Sequence, residues 1–520
     1  TQSRSSAASD VYKRQTSGVS ADQLTILDMG IDTHQEPVAY MRSDCHICRS
    51  EGFTANSRVT LRYGDNSVIA TLNVVEEQSL TVGTVGLSKI AMRRLNAIEG
   101  GTVSVSHAPL VASLSSVRKK VFGNKLSDDE IADIIKDISA LRYSDIEIAS
   151  FLSVCAGGRL DVDEIIDLTQ AMVACGKRLS WPGHDMILDK HCIGGLPGNR
   201  TTPLVVSIVS AAGLVIPKTS SRAITSPSGT ADTMAALTTV NLDVADIHRV
   251  VEETNACLAW GSAVNLSPAD DLLIRIERAL ELDGEGQLIA SVLSKKIAAG
   301  ATHAVIDIPV GPTAKVRTRK EAERLASLFT QVAAACGIEV RCLITDGRQP
   351  VGLGIGPVEE ARDVLSVLRG DDNAPQDLRE RALFLAANLF SLSSYTESLQ
   401  QGLERATAIL DEGKAWQQFQ HIVNTQGGIK TLPQARYQHT EVVHAACSIT
   451  GIDNRKLARL AKLAGAPDLP AAGLRLHARV GDMLSEGAPL YTLFSESIGE
   501  RDYALAYYHE QANPFTLSYQ

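Results

Sequence analysis

The stretch SSRAITSPSGTADT, residues 220–233, carries seven hydroxyls, one Arg and one Asp and keeps no hydrophobic period. Hydroxyls donate hydrogen bonds without adding charge, and an Arg can grip a phosphate through two parallel bonds. A self-capped irregular loop accounts for about two such hydroxyls, not for this many beside a guanidinium. Ser220, Ser221, Thr225, Ser226 and Thr230, with Arg222, therefore predict a cradle for a polar ligand. A second stretch, DKHCIGGLPGNRTTP (189–203), has glycines and Pro197 that prevent regular structure and leave backbone N–H groups free to face an anion. A helix beginning near Thr201 would aim its N-terminal dipole at the same spot, and Lys190 adds a full charge. The pattern is neither a P-loop nor a dinucleotide fingerprint. In a third stretch, LDGEGQLIASVLSKKIAAG (282–300), Ser291, Lys295 and also Ser294 fall about one turn apart on one helix face, with Asp283 just upstream. Alone, that segment would be a solvated helix with surface lysines. Together the three supply phosphate donors, hydroxyls, one candidate acid and two lysines, without a metal-ligand cluster or a G-x-S-x-G elbow.

These loops need elements to hold them. LVIPKTS, THAVIDIPVG (302–311) and EVRCLITDG read as buried strands, and TTPLVVSIVSAAG and KEAERLASLFTQVAAACG as helices. Their alternation predicts a mostly parallel sheet with ligands at the carboxyl ends of its strands. A helix is expected to begin near Thr230. Upstream, SRVTLRYG, VIATLNVVEE and GTVSVSHA alternate or run β-branched, as in a small barrel. Capping boxes at Ser127/Glu130 and Ser144/Glu147 open amphipathic helices, and LDVDEIIDLTQAMVACG follows as another. GLRLHARVGDMLSEGAPLYTLFSES has turn pairs between short strands. The expected architecture is a multidomain α/β protein. Residues 1–15 form a tail outside the fold, 16–106 a β-rich N-terminal domain, and 107–185 with about 265–298 a helical domain. Residues 186–264 with 299–425 form a large α/β phosphate-binding domain, and 430–510 a C-terminal α+β domain.

Bulk properties narrow the function. The 520 residues are 44% apolar and 21% charged, with net charge −10, which disfavours non-specific nucleic-acid binding. No apolar run is long enough to span a bilayer, and no signal-peptide core stands at the start. Nine scattered cysteines suit reduced thiols in a cytoplasm. Cys45 and Cys48 form one C-x-x-C with no second pair nearby, so plain thiols are expected there.

The motifs DKHCIGG…TTP, SSRAITSPSGTADTM, NLSPADD and ASVLSKK, in this order, resemble the thymidine phosphorylase family across residues 40–500. The β-rich extension and the SSRAITSP form resemble its long branch, which includes bacterial proteins named thymidine phosphorylases and archaeal AMP phosphorylases. The resemblance implies a dimeric enzyme with a cleft between helical and α/β domains, no cofactor, and inorganic phosphate as co-substrate. Phosphate attacks C1′ of the pentose and the base leaves. Lys190, Thr202, Ser220 and Thr230 match phosphate-binding positions, and Gly195 a backbone contact to substrate. His191 matches a histidine near the base. Ser221, Arg222, Ala223, Ile224, Thr225 and Ser226, with Thr230, match nucleotide contacts of AMP phosphorylases. Asp283 matches their proton donor, Ser291 and Lys315 their remaining contacts, and Lys295 the base-contacting lysine of thymidine phosphorylases. The chain departs from the short enzymes in three places. Cys192 stands for a phosphate-binding Ser, Ile276 falls near their base-binding Arg, leaving Arg275 or Arg278 to substitute, and SSRA replaces SGRG. Thymidine phosphorolysis is the first expectation and AMP phosphorolysis the alternative. A phosphosugar isomerase and an inactive nucleotide-binding protein stand further off. Partners are the nucleoside or nucleoside monophosphate, phosphate and a second copy of the chain, with neither nucleic acid nor membrane.

Overall fold

The computed structural model describes residues 23–33, 36–76, 78–223, 226–282, 284–510 and 513–519. The expected tail at 1–15 lies outside them. The chain forms two compact units, residues 1–118 with 137–151 and residues 119–136 with 152–520.

In the first unit, six strands close into a barrel: β1 (Gln23–Asp28), β2 (Val38–Arg42), β3 (Arg58–Tyr63), β4 (Asn66–Val75), β5 (Thr84–Leu87) and β6 (Thr102–His107), in the spatial order β1-β5-β2-β4-β3-β6. The period of two anticipated in the sequence sends Val59 and Leu61, Val68, Ala70 and Leu72, and Val103 and Val105 into one core. Closure removes the exposed strand edges that would otherwise invite pairing. Cys45 and Cys48 are buried in the same core, and burial, with Cys45 alongside, pushes the Cys48 thiol up to about 11. The Ser144 capping box forms, Glu147 accepting from Ser144 N at 2.7 Å.

The second unit repeats that device. Glu130 accepts from Ser127 N at 2.8 Å. A third box, unforeseen in the sequence, joins Asp161 and Glu164, and buried Glu164 also pairs with Lys120 at 2.6 Å. Further along, β7 (Leu188–Cys192), β8 (Ile216–Ser220), β9 (Ala256–Trp260), β10 (His303–Val310) and β11 (Glu339–Asp346) pair in parallel as β11-β10-β7 and β8-β9. A parallel bridge from Ile187 to Val215 joins the two sets. The helix Thr201–Ala211 is buried along nearly its whole length and packs in one core with Leu385, Leu389, Phe390 and Phe419. An apolar helix with no polar face is stable only in such a place. Helices Val162–Ala174, Pro268–Leu280 and Glu285–Ala298 supply the helical part. At the C-terminus, strands Gly354–Ile355, Gly473–Leu476, Pro489–Ser495 and Tyr437–Val442 form one antiparallel sheet. The helices Asn454–Leu463 and Ile498–Glu510 share a core with it through Leu457, Leu474, Tyr491 and Ala504. Among the described residues, no helix is long and apolar enough to cross a membrane.

Candidate functional site

Strands β7, β8, β9 and β10 run parallel, so their carboxyl ends at Cys192, Ser220, Trp260 and Val310 share one edge. The loop after β7 leads into the helix Thr201–Ala211, and the loop after β8 into the helix Thr230–Leu237. The starts of both helices thus lie at the ligand edge of the sheet, although at the second Ala231 N already donates to Ser221 O at 3.3 Å. Gly195 turns the first loop with φ +79, and a Cβ there would come within 2.6 Å of Lys315 N. That approach brings two sequence-predicted positions, Gly195 and Lys315, into contact. At the second loop, a Cβ on Gly229 would meet Ser221 O and Ala223 N at 2.6 Å, so only glycine lets the loop fold back on the helix start.

The hydroxyls divide into those used by the fold and those left for a ligand. Ser226 Oγ donates to Ser228 O at 2.9 Å, and Ser228 Oγ contacts Thr233 Oγ1 at 2.9 Å. Asp232 folds the rest of the loop, accepting from Ala223 N at 2.6 Å, Gly229 N at 2.9 Å and Arg222 at 3.1 Å. Arg222 also lies over the Trp260 ring, 4.9 Å from its centroid, while its side chain stays 42% exposed. Ser220 differs from these: its Oγ is buried and has no hydrogen-bond partner among the described residues. An unmet buried hydroxyl is costly, and a ligand would satisfy it. Thr230 Oγ1 accepts from Arg200, and Thr202 is buried at its helix start. Ile224 and Thr225 lie outside the described residues, as does the candidate acid Asp283.

Behind the loops lies a set of buried charges. Lys190 donates from Nζ to Thr201 Oγ1 at 2.6 Å, and burial lowers its pKa. Asp189 accepts from Lys218 at 2.9 Å and Lys296 at 2.6 Å. Burial pushes its carboxyl up, but the two lysines outweigh that and hold it below its ordinary value. Lys296 anchors the helix Glu285–Ala298 to β7; on that helix Ser291 and Lys295 are half-buried. Lys295 pairs with buried Asp270 at 2.5 Å, which outweighs its burial and keeps it protonated. Burial, with Lys296, Lys218, Lys295 and Lys190 around it, drives the His191 pKa well below the ordinary value, so the ring is neutral at pH 7. Burial likewise pushes the Cys192 thiol up to about 12, leaving it a neutral group that accepts from Asn199 Nδ2 at 3.2 Å. Asn199 Oδ1 is a second buried atom without a partner among the described residues. Ile276 is buried in the helix Pro268–Leu280.

Sequence reasoning passed over Asp189, Arg200, Lys218, Asp270, Lys296 and Glu360. One signal was available, Lys218 inside the otherwise apolar strand LVIPKTS. The site can hold an anion on hydroxyls and helix N–H groups, beside a neutral imidazole and a protonated lysine.

Residues 184–416 match the glycosyl transferase family a/b domain, and residues 115–176 its helical bundle domain. A protein of Acidovorax sp. (strain JS42) named "Putative thymidine phosphorylase 2" is 54% identical over 489 residues, 94% of this chain and 95% of its own. A Ralstonia nicotianae protein named "Putative thymidine phosphorylase" is 53% identical over 486 residues, covering 94% of this chain and 96% of its own. Among solved structures, anthranilate phosphoribosyltransferase (TrpD) from Thermus thermophilus superposes with TM-score 0.50 at 18% identity, over 60% of this chain and 99% of that one. That likeness concerns the fold.

Proposed function

Since this chain belongs to the glycosyl transferase family, with relatives named "Putative thymidine phosphorylase" along most of its length, we propose that it cleaves the N-glycosidic bond of thymidine with inorganic phosphate, giving thymine and 2-deoxyribose 1-phosphate. The family and these relatives make it a pentosyl-transferring enzyme of the phosphorylase kind. In the proposed reaction a phosphate oxygen bonds to C1′ while the C1′–N bond breaks. The base departs with the bonding electrons and takes up a proton. Thr202, Ser220 and Thr230 hold the phosphate with the two helix N-termini, and Lys190 stands behind them. Holding phosphate and sugar in line supplies much of the acceleration. Lys295, kept protonated by Asp270, and neutral His191 face the base, and Asp283 is the acid that protonates it.

The observation that carries this reading is the buried Ser220 hydroxyl at the end of β8, without a hydrogen-bond partner among the described residues. It marks an acceptor-rich ligand between the helix starts at Thr201 and Thr230. Arg222 favours a nucleoside over a nucleotide, because Asp232 and the Trp260 ring already hold its guanidinium. The alternative, AMP with phosphate giving adenine and ribose 1,5-bisphosphate, rests on the same residue, whose exposed side could meet a 5′-phosphate. A bidentate contact of that kind is worth about 1.5–3 kcal/mol, or roughly ten- to a hundred-fold.

One comparison tests both. Free base is measured from thymidine, uridine, adenosine and AMP, with and without phosphate, for wild type and Arg222→Ala. Base release that requires phosphate and is fastest with thymidine supports the proposal, with Arg222→Ala lowering all substrates alike. A wild-type preference for AMP that the mutation erases would establish the alternative. Base release without phosphate would overturn both.

A further inference from the structure

Arg200, the residue immediately before the helix Thr201–Ala211, has no counterpart in the roles assigned above. Its guanidinium sits where the starts of three helices meet. Nε donates to Glu360 Oε2 at 2.7 Å, one terminal nitrogen donates to Thr230 Oγ1 at 2.7 Å, and the other donates to Ser228 O at 2.9 Å. Glu360 lies in the first turn of the helix Pro357–Arg369 and is buried. It also accepts from Thr233 Oγ1 at 3.0 Å, so the same carboxylate holds the helix Thr230–Leu237. The Arg200 side chain is only 12% exposed.

A guanidinium only donates. Thr230 Oγ1 must therefore accept from Arg200, and its own proton is turned away to seek an acceptor elsewhere. The pattern recurs at Thr201, the residue that follows Arg200, where Lys190 Nζ donates to Thr201 Oγ1 at 2.6 Å. In both cases a buried cation sits behind a threonine at a helix start and commits its hydroxyl to donation.

We propose that Arg200 is a positioning residue for the attacking phosphate. It presets the Thr230 hydroxyl as a donor and fixes the spacing between the two helix starts, with Glu360 holding it in place. The cation does not touch the anion; its polarity is delivered through the hydroxyl. The proposal rests on the phosphorylase reading and on Thr230 facing phosphate.

The test separates the two. Isothermal titration of inorganic phosphate into the full-length protein needs no turnover, and steady-state kinetics gives KM for phosphate and nucleoside independently. Arg200→Gln and Thr230→Val should each weaken phosphate binding and raise its KM by about 10- to 100-fold, as for loss of a charge-assisted bond. The nucleoside KM should stay within about twofold, since only the phosphate side is altered. The double variant should be no worse than the weaker single by more than about threefold, because both changes remove one pathway. Arg200→Lys should recover part of the affinity. Arg200→Gln leaves Glu360 buried without its cation, so Arg200→Gln with Glu360→Gln is the variant that keeps the core free of unpaired charge; it should show the same loss for phosphate. Unchanged phosphate affinity in that variant, equal shifts in both KM values, or multiplying effects in the double variant would overturn the role of Arg200. Normal phosphate binding lost on Arg200→Gln, without phosphate-dependent base release from any nucleoside by wild type, would instead leave Arg200 in place and remove the phosphorylase reading.

Discussion

Asp189→Asn probes the buried charges beneath the site. Asp189, Lys218 and Lys296 are 1%, 3% and 2% exposed, so water screens none of them. Removing the carboxylate strands Lys218, whose remaining partner is the Thr219 carbonyl at 3.0 Å. The protein can keep that ion buried or release its proton. From an ordinary lysine pKa, deprotonation at pH 7 costs about 5 kcal/mol, and at about pH 9.5 only 1–2 kcal/mol. The asparagine oxygen can accept from one lysine and soften the loss, which leaves roughly 3–5 kcal/mol at pH 7, as for other broken buried pairs.

The pH dependence has a definite sign. Burial lowers Lys296 to about 7, against the pull of Asp189. An unfolded lysine binds its proton more tightly, so this group costs stability in full below pH 7 and is relieved as the pH rises toward its ordinary value. Asp189 acts in the other direction. Its depressed pKa contributes stability that is present above the ordinary value of 3.8 and lost as the pH falls through the folded one. Trp181, Trp260 and Trp416 all lie in the second unit, so urea unfolding followed by tryptophan fluorescence reports on it. The loss on Asp189→Asn should be about 3–5 kcal/mol at pH 7 and shrink below about 2 kcal/mol at pH 9.5. Lys296→Met leaves one lysine for one carboxylate and should cost less than about 1 kcal/mol. A loss under about 1 kcal/mol for Asp189→Asn at pH 7, or the same loss at both pH values, would refute the charge accounting.

Lys190→Ala should raise the phosphate KM by an amount equivalent to roughly 2–4 kcal/mol, and unchanged phosphate dependence in steady-state kinetics would remove Lys190 from the site. Cys192, with its thiol near 12, should alkylate with iodoacetamide at pH 8 far more slowly than a free cysteine, and Cys192→Ser should lower the phosphate KM because a hydroxyl donates better than a thiol. Asp283→Asn should retain nucleoside binding and lose about 10²–10⁴-fold in kcat; wild-type turnover in that variant would pass the role to His191 or leave the base to depart unassisted.

The parts that could be read in the sequence are those set by local spacing. Capping boxes at Ser127 and Ser144 mark helix starts because their bonds span three residues. The strand at 302–311 and the helix start at Thr201 follow from runs of apolar residues and the glycine loop before them, and the structure has them at His303–Val310 and Thr201–Ala211. The helix Asn454–Leu463 falls inside the α+β domain expected at 430–510, but its bounds were not legible, because its apolar stripe of Leu457, Leu460 and Ala461 is short and lies between strands. The buried charges could not be read in this way. Asp189 meets Lys218 and Lys296 from 29 and 107 residues away, and Arg200 meets Glu360 from 160. Such pairs exist only once the sheet and helices have packed. Composition also cannot say which hydroxyls of the serine-rich loop serve the loop itself; Ser226 and Ser228 do, and Ser220 does not.

That division bears on why the site is built as it is. Lys190, Lys218, Lys296 and Arg200 are all committed to protein acceptors: Thr201, Asp189 and the Thr230–Glu360 pair. A lysine pressed directly on a phosphate oxygen would bind it tightly and make that oxygen a poorer nucleophile, because the same charge must be left behind as the oxygen bonds to carbon. Cations placed one hydroxyl away polarise the donors while leaving the anion held by neutral groups. Tight ground-state binding of the nucleophile adds nothing to the chemical step unless it strengthens at the transition state. Lys190 and Arg200, each set behind a threonine hydroxyl, meet that condition. For the proposed reaction the site would supply fixed donors to align phosphate with C1′, while the charge stays in a buried layer where Asp189 pairs with Lys218 and Lys296, and Glu360 with Arg200.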